Sequence, residues 1–151
     1  MLSKSAEYAI RALHRLALAH GEGPVTTAEL ARRVGAPESY LSKLLHRLRK
    51  EGVVVSQRGR GGGFELARPP GRVTLAEVVE PFDDVMERRC VLGRPECRDD
   101  APCAAHEGWE EAVGELRSFF RETSLEDLEP PAENGDPRSL AGAEHRGREI
   151  R

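Results

Sequence analysis

No stretch of this 151-residue sequence approaches the ~20 consecutive apolar residues needed to cross a bilayer, so no membrane-spanning helix is expected. The N-terminus also lacks the unbroken apolar segment of a secretion signal, because Lys4, Glu7 and Arg11 interrupt it. The cytoplasm is therefore the expected location, with no membrane partner. An even set of cysteines is missing: there are three, all between Cys90 and Cys103. In a reducing compartment such a cluster points to metal ligation rather than structural disulfides. The five histidines, His14, His20, His46, His106 and His145, are scattered, and no Ser-His-Asp or Cys-His arrangement is legible. The glycine run at 59 and 61–63 lies between two strand-like segments, not between a strand and a helix, so it is not a phosphate-binding loop. The common enzyme classes are thereby set aside, and no internal repeat is present.

Charge is unevenly placed. Residues 1–72 carry 13 basic and 6 acidic side chains, a net of +7, whereas residues 73–151 carry 10 and 20, a net of −10. The basic half can hold a polyanion and the acidic half cannot.

Apolar spacing then sets out the elements. Ala6, Ala9, Ile10, Leu13, Leu16 and Ala17 predict a helix over 3–20, closed by Gly21 and Gly23-Pro24. Thr26 and Glu29 form a capping-box pattern ahead of Leu30, Ala31 and Val34, and Gly35 stops that second helix. A third helix opens near Pro37, with Leu41, Leu44, Leu45 and Leu48 as its stripe and Gly52 as its end. Val53–Val55 and Phe64–Leu66 read as two strands joined by a Gly-rich basic turn. Thr74 and Glu77 repeat the capping box before a short helix limited by Pro81. Residues 88–104 form a Cys-, Arg- and Pro-containing loop, and 105–123 a long helix with Trp109, Val113, Leu116 and Phe120 on one stripe. Beyond about residue 128 periodicity stops, and a disordered tail is expected. The expected fold is mostly α: a winged helix-turn-helix with a small β-hairpin wing, plus a long C-terminal dimerisation helix. The expected domains are 1–72 for DNA binding, 73–128 for the cysteine loop and dimerisation helix, and 129–151 for the tail.

The third helix has two faces. Opposite its leucines lie Ser39, Ser42, Lys43, His46, Arg47 and Lys50. Ser and Lys near the start of such a helix can reach base edges and phosphates, and later Arg and Lys can hold the backbone. At the hairpin tip, four glycines with Arg58 and Arg60 build no core; glycine permits close approach, and arginine suits the narrow minor groove. The cysteines show the pattern Cys90-x6-Cys97-x5-Cys103-x2-His106. Three thiolates and an imidazole suit an iron–sulfur cluster, tetrahedral zinc or Cu(I), and spacing alone leaves these open, along with free or transiently oxidised thiols.

Three stretches, taken with the cysteines, resemble the winged-helix iron–sulfur regulator family typified by IscR and NsrR: Glu7-Tyr8-Ala9-Ile10-Arg11-Ala12-Leu13, Ser39-Tyr40-Leu41 through Leu48-Arg49-Lys50-Glu51-Gly52, and Arg58-Gly59-Arg60-Gly61-Gly62-Gly63-Phe64. The likeness covers roughly residues 1–128. It implies a DNA-binding repressor that grips a pseudo-palindromic operator as a homodimer and responds to redox, nitric oxide or cluster status. It assigns Arg58 to the minor groove, and Ser39, Ser42 and Lys43 to the major groove. It also implies an iron–sulfur cluster on Cys90, Cys97 and Cys103. His106 as fourth ligand corresponds to the family's 2Fe-2S pattern. Glu7 stands where other members place the partner's aspartate ligand to a 4Fe-4S cluster, one methylene longer here. The gap between Cys90 and Cys97, which holds Arg94-Pro95, is one residue longer than is usual in the family.

Overall fold

The computed structural model describes residues 2–84, 90–93, 100 and 102–128; Cys97, Arg94-Pro95 and the expected tail lie outside them. Helix α1 spans Lys4–Leu18. Ser3 caps it, its Oγ accepting from the Ala6 N–H at 3.2 Å, and Ala6, Ala9, Ala12, Leu13 and Leu16 form its buried stripe. Helix α2 covers Thr27–Val34. Here only half of the expected capping box forms. Thr26 Oγ1 accepts from the Glu29 N–H, but the Glu29 carboxylate turns to Arg33 one turn on, 2.9 Å from its Nε. Gly35 closes α2 in the left-handed region, at φ 70°, where a side chain would be strained. Helix α3 spans Glu38–Lys50, with Pro37 at its N-cap rather than inside its first turn.

The hairpin pairs β1, Val54–Gln57, with β2, Gly63–Leu66, antiparallel in the register Val54↔Leu66 to Gln57↔Gly63. Strand β1 thus starts and ends later than the apolar triplet suggests. Val53 is buried, but its carbonyl accepts from the Ala67 N–H beyond the ladder, while polar Ser56 and Gln57 extend the pairing to the turn. Val25, between α1 and α2, adds a single rung on the other edge of β2: its N–H and carbonyl exchange bonds of 2.9 and 2.8 Å with Phe64. A Cβ at Gly63 would collide with the Val25 carbonyl, and one at Gly62 with the Gln57 carbonyl. Gly62 therefore lets the hairpin turn close on itself, and Gly63 lets the wing approach the segment between α1 and α2.

After a 3-10 turn at Pro70–Arg72, α4 runs over Leu75–Val79. Its capping box is complete: Glu77 N–H reaches Thr74 Oγ1, and the Glu77 carboxylate takes the Thr74 N–H at 2.9 Å. Helix α5 spans His106–Glu122. The chain beyond it returns to the start of α4, where Thr74 and Ser124 form a bridge with bonds of 2.9 Å from Leu75 N–H to Thr123 O and from Leu125 N–H to Val73 O. One hydrophobic cluster runs through α1–α3, the wing and α4, and takes in Phe120 and Leu125. Among the described residues no helix is long and apolar enough to cross a membrane.

Candidate nucleic-acid interface and metal centre

Leu41, Leu44, Leu45 and Leu48 are all buried, and this fixes the roll of α3. Ser39, Lys43, His46, Arg47 and Lys50 are left exposed on the opposite side, with Ser42 half-buried at its edge. Both flanks of α3 are held. On the wing side, Arg49 Nη1 donates to Ser56 Oγ at 2.9 Å, and the His46 ring meets Phe64 edge-on at 5.6 Å. On the other side, the Tyr40 and Ser5 hydroxyls share a hydrogen bond of 2.6 Å, and the Tyr40 ring meets Tyr8 edge-on at 6.1 Å. The Arg47 guanidinium lies 5.4 Å from the centre of the Phe82 ring, a cation–π distance. A helix whose exposed face is polar and basic, and whose roll is set from both sides, suits docking in a major groove.

Arg58 and Arg60 are exposed at the hairpin tip. Just behind them Gln57 Nε2 donates to Glu65 Oε1 at 2.9 Å across the strands. The tip therefore offers two unburied cations on a narrow, backbone-rich projection, a shape that fits a groove of strong negative potential.

Cys103 and His106 sit together where α5 begins: the His106 N–H donates to the Cys103 carbonyl at 3.0 Å, so one turn leading into the helix holds both. Cys90 lies in a separate turn, its carbonyl accepting from the Gly93 N–H at 2.9 Å. Cys90 and Cys103 are both half-buried. Among the described residues no three His, Cys, Asp or Glu side chains converge as a metal site, Cys97 being outside them. Glu7 is already engaged. Lys4 Nζ lies 2.7 Å and Arg11 Nη2 4.0 Å from its carboxylate, and the hydrogen bond from Lys4 holds that carboxyl below its usual range. His14 is held elsewhere, on α1. Burial and the neighbouring Arg15 push its imidazole below the usual range, and a hydrogen bond with the Leu128 backbone acts the other way.

Comparison with known proteins agrees with this arrangement. Residues 2–130 match the model of the Rrf2 family, described as iron-dependent transcriptional regulators. The chain belongs to the Rrf2 family. It is 38% identical over 127 residues to the HTH-type transcriptional regulator IscR of Xenorhabdus nematophila, covering 84% of this chain and 77% of that one. Among solved structures it is similar to CymR, the global cysteine regulator of B. subtilis, with a TM-score of 0.72 at 28% identity, covering 85% of this chain and 95% of that one. It is also similar to T. potens IscR, with a TM-score of 0.67 at 28% identity over 84% of each chain. This Rrf2 protein is thus a winged-helix, DNA-binding transcription regulator and not an enzyme.

Within the Rrf2 frame, Ser39, Lys43 and Arg47 share one exposed face with Ser42 at its border, and Arg58 and Arg60 share the wing tip. Of the proposed ligands the structure brings Cys103 and His106 into one turn. Residue spacing missed Arg49, Tyr40 and Phe82, which hold α3 against the wing, α1 and the chain after α4. The Tyr40 and Phe82 contacts join residues 35 positions apart and the Arg49 contact crosses from helix to strand, so no local periodicity marks them. The α5 stripe divides: Phe120 is buried in the chain, Trp109 and Val113 are half-buried, and Leu116 is 45% exposed.

Proposed function

We propose that this Rrf2 protein is a repressor that binds a pseudo-palindromic operator as a homodimer, its grip set by an iron–sulfur cluster on Cys90, Cys97, Cys103 and His106. Residues 1–72 serve DNA, and residues 73–128 sense and dimerise. The backbone turn that joins Cys103 to His106 at the start of α5 carries this reading. One turn thus brings a thiolate and an imidazole close along the chain, and two further thiolates from the preceding loop complete a soft donor set suited to iron and sulfide. When bound, the cluster supplies a redox- and nitric-oxide-sensitive centre. The chain's own part is to tie the loop to the helix that holds the two subunits. Glu7 is the weaker candidate for the fourth ligand, because its engagement with Lys4 and Arg11 must be broken first. Ser39, Ser42 and Lys43 read bases, Arg47 and Arg60 hold phosphates, and Arg58 enters the minor groove. The half-sites are spaced by about one helical turn of DNA or a multiple of it.

A metal-free thiol regulator, or one holding zinc, is the second reading, favoured by the likeness to the CymR structure. Anaerobic purification, then an optical spectrum with iron and sulfide assays, separates them. Visible absorption with iron and acid-labile sulfide supports the cluster. A colourless protein containing zinc or no metal supports the alternative.

A further inference from the structure

The chain leaves α4 toward the cysteines through Pro81, Phe82 and Asp83, and these residues touch two parts of the DNA-binding unit at once. Backbone bonds from the Phe82 and Asp83 N–H groups to the Val79 carbonyl, at 2.8 and 3.0 Å, fix the segment to the end of α4. Phe82 packs its half-buried ring on the core, and the Arg47 guanidinium of α3 lies over that ring. The Asp83 carboxylate takes the Ser3 N–H at 2.7 Å, at the N-cap of α1. The same first turns of α1 carry Ser5 and Tyr8, which contact Tyr40 of α3.

We propose that Pro81–Asp83 is the relay between the cysteine loop and the recognition helix: Phe82 is a positioning residue for Arg47, and Asp83 anchors the α1 turn against which α3 is rolled. Arg47 is exposed and has a long, flexible stem, so its reach to a phosphate depends on where its planar head rests, and the Phe82 face supplies that resting place. Phe82 and Asp83 lie on the chain path from α4 toward Cys90 and contact α3 and the start of α1. The relay rests on the regulatory reading above, because it transmits the state of the loop to DNA.

The test is a double-mutant cycle on a duplex that the parent protein selects from a random-sequence library, with binding read by fluorescence anisotropy at fixed salt. Parent, Arg47→Ala, Phe82→Leu, the double variant, Phe82→Trp and Asp83→Ala are purified anaerobically and titrated with and without the cluster. Phe82→Leu keeps the apolar body and lowers affinity about two- to fivefold, the range of an exposed cation–π contact. The double variant binds no worse than Arg47→Ala, because Phe82 acts through that side chain, and Phe82→Trp binds like the parent. Phe82→Leu and Asp83→Ala also bring the affinity ratio of cluster-loaded to cluster-free protein toward one. Independent, multiplying effects of Phe82→Leu and Arg47→Ala overturn the relay, as does a cluster-dependent ratio that Phe82→Leu leaves unchanged. A parent protein that binds equally with and without the cluster refutes the regulatory reading itself, and the relay with it.

Discussion

The three-helix bundle with its wing carries its own core, whereas α5 carries almost none. In α1–α4 and the hairpin, leucines, valines and alanines at helical or alternating spacing are buried in one cluster; among the α5 residues Phe120 alone joins it as a buried side chain. Leu116 and Phe119 are 45% and 53% exposed. The C-terminal end of α5 is nonetheless fixed, because the bridge between Thr74 and Ser124 joins the chain just past the helix to α4. At the N-terminal end, Cys103 and His106 lie outside the core cluster. One half of the molecule is therefore stabilised by its own sequence. The other presents a helix that joins the core through Phe120 near its C-terminal end and carries the cysteine-bearing turn at its start.

The largest effect that separates the halves comes from their leucines. Leu48→Ala, at a fully buried position, should lower the unfolding free energy by about 2–5 kcal/mol, and Leu116→Ala by no more than about 0.5 kcal/mol at low protein concentration, both read by urea denaturation. Equal losses would erase the distinction. Next, Gly63→Ala forces a methyl group into the Val25 carbonyl and should cost about 1–3 kcal/mol while detaching the wing from the helices. Backbone amide exchange at Val25 and Phe64 reports that detachment directly, and unchanged protection there would show that the rung does not hold the wing.

Arg58→Ala removes a cation at the hairpin tip without touching the core and should weaken operator binding by about 1–3 kcal/mol in a gel-shift titration at fixed salt, with stability unchanged. The smallest effect concerns Glu77. Burial alone would raise its carboxyl, but bonds from the Thr74 backbone and from Arg68 outweigh that and hold it below the ordinary 4.5. Its contribution is therefore present above the unfolded value and lost as pH falls through the lower folded value. Glu77→Gln should flatten the fall in stability on acidification below about pH 4.5, by under about 1 kcal/mol because the pair with Arg68 is partly exposed. Urea titrations at neutral and acid pH compare the slopes, and an identical pH profile for the variant would show that Glu77 contributes nothing to it.

The same contrast decides how much was legible in the sequence. The stripes of α1, α2 and α3 and the Thr74–Glu77 box are local patterns, and each appears at its expected place within a few residues. The Arg-Gly run announced the wing, though β1 runs to Gln57 because pairing, not side-chain polarity, decides where a hairpin ladder ends. Thr26 and Glu29 show the limit of a local rule: the same spacing closes a full box at Thr74 but yields to Arg33 here. The contacts of Arg47 with Phe82 and of Tyr40 with Ser5 were not legible, since each joins residues 35 positions apart. Spacing on α5 revealed an apolar stripe but not its cover, and Leu116 remains exposed in the single chain.

The proposal that metal at the cysteine end of α5 governs DNA binding, by a half of the chain that folds without it, is tested most directly by Cys97→Ala. Operator affinity is measured beside the cluster-loaded parent at fixed salt. The expected result is a folded dimer without the visible chromophore, with altered operator affinity or preference and with salt-sensitive non-specific binding intact. The same operator bound with the same affinity would contradict the proposal, and would make the cysteines structural.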